Sequence, residues 1–213
     1  MKALIIVDVQ NDFCPGGALA VAGGDEIIPV VNGLIAEFSD AGLPIVATQD
    51  WHPAGHCSFA SAHPGHAVGD VVTLPRSKTQ LVQILWPDHC VQDTCGAELH
   101  PGLDAACIGH IVRKGQDPQL DSYSAFFDMD HANSTDLHAW LQERGVDELV
   151  VCGLACDYCV KYTALDARAL RYRVTVPLAA TRAVEAKPGD GKRAVEEMRR
   201  AGVEIVDVET TGA

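Results

Sequence analysis

The chain has 213 residues, 47% of them hydrophobic, enough for a sizeable core and within the usual size of one domain, so residues 1–213 are expected to form a single unit. Its formal charge of -13 disfavours nucleic acid and anionic membrane as partners. No apolar run reaches the ~18 residues of a membrane span, and Asp8 interrupts the start before a signal-peptide core can form, which makes a cytoplasmic location the expectation.

Residues 3–7 are a short aliphatic run apolar on both faces, as a buried parallel strand requires, and the run ends at Asp8. From about Asp25, the residues Ile27, Val31, Leu34, Ile35 and Phe38 recur at helical spacing, with Gly42 as the stop. A second strand is expected at 44–48, followed by a long His-, Gly- and Pro-rich segment over about 50–102. Irregular segments beyond ~12–15 residues tend to be functional or disordered, and the histidines and tryptophans of this one argue against disorder. A strand at 108–113 leads to Lys114, and a helix at 135–144 follows, with Leu137, Trp140 and Leu141 on one face and Gly145 closing it. Next come a strand at 149–152, a helix from near Asp157, a strand at 173–176, a helix at 191–201 and a strand at 203–206. This alternation predicts a three-layer, doubly wound α/β fold with a mainly parallel six-stranded sheet.

Ligands of open parallel sheets bind beyond the carboxyl ends of the strands. Asp8, Asp50, Lys114 and the turn leading to Cys159 follow four separate predicted strands, so they should converge on one edge. Cys159 stands near a helix start, where Asp157 is placed to cap and the backbone amides favour a thiolate. It also fits a small buried thiol, and Cys156 with Cys159 forms a C-x-x-C pair that fits a redox dithiol or, with Cys90 and Cys95, a zinc site. The eight cysteines of a chain this long read mainly as reduced thiols, Cys107 and Cys152 as buried and inert. Lys114 at the end of an apolar strand needs an anion, which Asp8 can supply. Separately these are strand-end charges; together they read as nucleophile, base and electrostatic organiser.

Asp50 and His52 lie on one side of an extended segment, and His89 follows in Trp86-Pro87-Asp88-His89-Cys90. One carboxylate and two imidazoles suit Zn(II), Fe(II) or Mn(II), with His56, His63 and His66 as competing choices.

The ordered segments ALIIVDVQNDFCPGG (3–17), DWHP (50–53), WPDHCV (86–91), Lys114, DSYSAFF (121–127) and GLACDYCV (153–160) resemble the nicotinamidase/pyrazinamidase family of the isochorismatase-like hydrolases. The resemblance spans nearly the whole chain. It implies hydrolysis of nicotinamide to nicotinate and ammonia through a cysteine thioester, with pyrazinamide as a further substrate and a role in NAD salvage. Asp8, Lys114 and Cys159 would be the triad, and Ala155 and Cys159 amides the oxyanion hole beyond a cis peptide. Asp50, His52 and His89 would hold one divalent metal ion, zinc first and iron or manganese as alternatives. Phe13, Trp86, Tyr123 and Tyr158 would line the ring pocket, with the ring nitrogen toward the metal. The fourth ligand varies in the family, and His56, Ser58 or water are the choices here; a homo-oligomer is allowed. Cys156 departs from the threonine usual at its position. Other isochorismatase-like amidases, and a noncatalytic redox or metal-binding protein using Cys156 and Cys159, are the competing readings.

Overall fold

The computed structural model describes residues 1–74 and 81–207. All six predicted strands form: β1 (Lys2–Val7), β2 (Ile45–Asp50), β5 (His110–Lys114), β6 (Glu148–Leu154), β7 (Arg173–Pro177) and β9 (Glu204–Val206). Three strands were not expected, namely the hairpin strands β3 (Val71–Thr73) and β4 (Val82–Ile84), and the two-residue β8 (Thr181–Arg182). The helices are α1 (Ile28–Asp40), α2 (Leu137–Glu143), α3 (Lys161–Ala169) and α4 (Asp190–Arg200).

The main sheet runs β5-β2-β1-β6-β7-β9 with β8 beside β6, and every pairing in it is parallel. The chain therefore winds outward from β1 through β2 to β5 on one side, then from β6 through β7 to β9 on the other. Such a reversal opens a crevice at the carboxyl ends of β1 and β6.

β1 explains why the sheet is central. Ala3, Ile5 and Val7 face one core cluster with Leu137 and Leu141 of α2, Ala164 and Ala167 of α3, and Met198 of α4. Leu4 and Ile6 face the other, with Val31, Ile35 and Phe38 of α1. A strand buried on both faces cannot be exchanged for a polar one, and truncating a fully buried Ile or Leu to Ala costs about 2–5 kcal/mol. The two glycines that matter here serve close approach. A Cβ on Gly153, which has φ +109, would collide with the Val7 backbone, and one on Gly115, with φ +66, would collide with the His52 ring.

The hairpin escaped sequence reading because its strands are three residues long and β3 shows no clean apolar alternation. Among the described residues no helix is long and apolar enough to cross a membrane.

Candidate active site

The register of the sheet begins the site. Asp50 and Lys114 are direct partners at the ends of β2 and β5, and Asp8 follows β1 with a left-handed φ of 47°. All three are buried. The ammonium of Lys114 lies 2.9 Å from Asp8 Oδ2 and donates to Asp50 Oδ1 (2.5 Å), the Ser122 carbonyl (3.1 Å) and Cys159 Sγ (3.4 Å). Asp8 Oδ2 is a buried oxygen that takes the charge of Lys114 on one side and faces the Cys159 thiol on the other. Its other oxygen is fixed by Thr48, whose hydroxyl donates to Asp8 Oδ1 (2.5 Å) and receives the Asp8 amide (3.1 Å). Ligand atoms of Asp8, Asp50 and Cys159 lie within 4.8 Å of one another.

The charges settle the protonation roles. Burial pushes the Asp8 carboxyl up, and Lys114 offsets this only in part because Asp50 adds a like charge. For Asp50 burial acts the same way, but Lys114 and His52 outweigh it and hold the group ionised. Cys159 departs from expectation: burial, together with Asp8 and Asp50, outweighs Lys114 and pushes the thiol well above its ordinary value. A thiol shifted in this direction needs a proton acceptor when it attacks. A carboxylate of raised proton affinity beside it is the fitting acceptor.

The backbone before Cys159 also differs from the predicted cap. Leu154-Ala155 is a cis peptide, and residues Cys156–Val160 form a π turn in which the Ala155 carbonyl accepts the Tyr158 and Val160 amides, both at 3.1 Å. Asp157 does not cap the helix. Its carboxylate accepts the amides of Val184 and Glu185, each at 2.9 Å, and so ties the turn to the segment after β8. Cys159 keeps its expected place at the helix start.

Asp50 joins this cluster to a second one. His52 Nε2 and His89 Nε2 stand 3.6 and 3.9 Å from Asp50 Oδ2. Each ring turns its Nδ1 to a carbonyl, His52 to Gly115 and His89 to Pro87, both at 2.8 Å. A carbonyl can only accept, so both Nδ1 atoms carry hydrogen, and both Nε2 atoms are left to face the carboxylate. One carboxylate oxygen and two imidazole nitrogens within 4.8 Å of one another, each ring backed by a carbonyl, fit a divalent metal ion. The bases of the chain prepare it: His52 and Val91 form a parallel bridge that brings His89 alongside, and Gln10 brackets the Asp50 backbone by accepting its amide (2.9 Å) and donating to its carbonyl (2.8 Å).

His56 is different. The Ser58 amide donates to its Nδ1 (3.3 Å), so the hydrogen of this ring sits on Nε2. His56 groups with His52 and Asp121 within 4.8 Å, not with Asp50 and His89, while the Ser58 hydroxyl is engaged by His56 at 2.8 Å. His63 bonds the Cys57 carbonyl (2.8 Å), and His66 is exposed.

Phe13, Trp86, Tyr123 and Tyr158 line one pocket together with Asp50, His52, His89, Ala155 and Cys159; Leu19, Asp121 and Val184, not singled out in the sequence, also line it. The Trp86 ring meets Tyr158 edge-on at 5.0 Å between centroids, and Tyr123 is tilted on Tyr158 at 5.3 Å. Such walls suit a flat ring.

The remaining cysteines are free. Among the described residues no group of ligand atoms unites Cys90, Cys95, Cys156 and Cys159. Cys107 is exposed in a turn rather than buried, whereas Cys152 is buried as expected.

A family model described as Isochorismatase domain matches residues 2–210. The chain is 48% identical over 204 residues to the nicotinamidase of Escherichia coli (strain K12), covering 96% of this chain and 93% of that one. A solved nicotinamidase/pyrazinamidase structure from Acinetobacter baumanii superposes with a TM-score of 0.90 at 42% identity, over 97% of this chain and 95% of the other. A pyrazinamidase of Pyrococcus horikoshii solved in complex with zinc gives a TM-score of 0.77 at 40% identity, over 97% and 98% of the two chains.

Proposed function

The chain belongs to the isochorismatase domain family, and on that premise we propose that it is a nicotinamidase, an amidohydrolase that converts nicotinamide to nicotinate and ammonia. The observation that carries the reading is the buried cluster in which the Lys114 ammonium contacts both Asp8 Oδ2 and Cys159 Sγ, at a pocket walled by aromatic rings.

Asp8 takes the thiol proton as Cys159 Sγ attacks the carboxamide carbon. Lys114 keeps the emerging thiolate and both carboxylates in place, since it contacts all three. The carbonyl oxygen, now negative, is received by the backbone amides of Ala155 and Cys159; loss of one such donor typically costs ~3–4 kcal/mol of transition-state stabilisation. Asp8 passes its proton to the departing ammonia, which leaves a thioester on Cys159. Asp8 then removes a proton from water as that water attacks the thioester, releasing nicotinate and the thiol.

Asp50, His52 and His89 would hold one divalent ion, zinc first given the donor set, with Fe(II) or Mn(II) compatible. When bound, the ion supplies a Lewis-acidic anchor for the ring nitrogen of the substrate. Ser58, water or His56 would complete the shell, although His56 stands with His52 and Asp121 rather than with Asp50 and His89. The reading treats residues 1–213 as one hydrolase domain working in the cytoplasm, where the product would enter pyridine nucleotide salvage; pyrazinamide, another planar ring carboxamide, would be a further substrate.

Ammonia release from nicotinamide by the purified chain, coupled to mass spectrometry of the quenched enzyme, tests this. The expected result is turnover with a nicotinoyl adduct on the peptide bearing Cys159. An adduct on another cysteine would overturn the assignment.

A further inference from the structure

Strand β4 is built the wrong way round for a hairpin that only has to be stable. It exposes Val82 at 60% and buries Gln83 completely, so an apolar side chain meets water while an amide is removed from it. Burying an amide is unfavourable unless its hydrogen bonds are restored. Gln83 Nε2 donates to the Ile84 carbonyl (2.8 Å), Asp121 Oδ2 (3.1 Å) and the Tyr123 hydroxyl (3.2 Å), sharing two hydrogens among three acceptors. Gln83 Oε1 has no partner. Reversing the amide would not help, because the oxygen would then face the Ile84 carbonyl and the Asp121 carboxylate, neither of which can donate. The group is held in this orientation by what it touches.

What it touches is the wall of the ring pocket. The Tyr123 hydroxyl also accepts the Trp86 indole N–H at 3.1 Å, so Gln83 and Trp86 together occupy both lone pairs of that oxygen. Asp121 is locked on its other side by the Ser122 amide at 2.7 Å. The hydroxyl that joins two of the four aromatic walls is thus held on its other side by one amide from the hairpin.

We propose that Gln83 is a positioning residue for ring binding, holding the Tyr123–Trp86 wall in register with Cys159 through its side-chain amide. The proposal rests on the hydrolase reading above. A hydrogen-bond donor that acts only through the wall affects how well the ring is held, not the proton transfers at Asp8 and Cys159.

Gln83→Met keeps the length of the side chain and removes both donors. KM for nicotinamide is expected to rise roughly 5- to 10-fold, with kcat within about 2-fold of wild type. Alkylation of Cys159 by iodoacetamide, too small to use the wall, should keep its wild-type rate. Tyr123→Phe, which removes the acceptor and keeps the ring, carries the same expectation should Gln83→Met fail to fold. The double variant should be no worse than either single one, as for groups acting as a unit. An unchanged KM in the folded variants, or an alkylation rate that changes in step with KM, overturns the proposal while leaving the hydrolase intact. A wild-type chain that releases no ammonia from nicotinamide overturns the hydrolase reading, and this proposal with it.

Discussion

Asp8, Asp50 and Lys114 leave the sheet at the ends of β1, β2 and β5, whereas His52, His89, Trp86 and Gln83 are carried by the segment between β2 and β5. The first group is placed by strand pairing. The Asp50–Lys114 register puts their charges together before any loop is considered, and the fully buried strands on either side leave them little freedom. The second group is placed by individual polar contacts: a carbonyl behind each imidazole, an amide behind the aromatic wall. On the proposed function, a sheet edge would supply the reacting groups, and an irregular segment, bonded atom by atom, would supply what recognises the substrate. Substitutions in the first region should act on the chemistry, and those in the second on binding.

The largest effect belongs to Cys159. Cys159→Ala should lower kcat for nicotinamide by on the order of 10⁴-fold or more with little change in thermal stability, because it removes the nucleophile and leaves the charged cluster paired. Steady-state ammonia release and a thermal melt decide it. Retention of more than a tenth of the activity would remove the thioester from the mechanism.

Lys114→Met comes next and separates chemistry from stability. Its ammonium sits between two buried carboxylates, so its loss leaves charge uncompensated and should cost about 3–5 kcal/mol of stability besides turnover. Asp8→Asn should abolish turnover equally while leaving the Lys114–Asp50 pair, and combining it with Lys114→Met should restore part of the lost stability. Denaturant melts of the three variants test this. Equal stability of Lys114→Met and wild type would mean that one carboxylate is already protonated at rest.

In the second region, the double variant His52→Ala/His89→Ala should lose bound metal, read by elemental analysis. Nicotinamide turnover should fall by about 100-fold, the scale expected when a reacting carbonyl is no longer held at attack distance. Alkylation of Cys159 should persist. Benzamide, which has the carboxamide without the ring nitrogen, should be poor with the metal-loaded enzyme and lose little more in the variant. Full nicotinamide activity in a metal-free preparation would end the anchoring role.

The difference between the regions also governs what the sequence disclosed. Aliphatic runs ending in Asp8, Asp50 and Lys114 announced both the sheet and its reactive edge, because a two-sided buried strand has few other compositions. Asp50, His52 and His89 were identifiable as donors, but nothing in the spacing distinguished His56, whose tautomer depends on the Ser58 amide. Gln83 and Thr48 were illegible for the same reason: their function lies in contacts across 40 residues of chain. The helix-start amides and Lys114, which favour a thiolate, are legible in the sequence, whereas complete burial beside two carboxylates, which pushes the thiol up, is legible only in the fold.

The smallest effect is expected three residues before the nucleophile. Cys156 shares the turn of Cys159 and would be its redox partner under the dithiol reading, yet the two thiols have different surroundings. Lys114 donates to Cys159, while Cys156 is pushed up to about 11 by burial and the neighbouring Asp157, and finds a weak partner in Thr181. The Thr181 hydroxyl is buried and has no partner besides this sulfur. Cys156→Thr replaces a weak sulfur contact with a hydroxyl, so the change in volume is offset by a stronger bond. Activity on nicotinamide should stay within about 2-fold, since no transition-state contact is removed, and the melting temperature should hold or rise slightly. Parallel kinetics with Cys159→Ala make the test discriminating. A loss in Cys156→Thr as deep as in Cys159→Ala would show that the turn works through both sulfurs, and the sheet-edge triad would then be incomplete as an account of the chemistry.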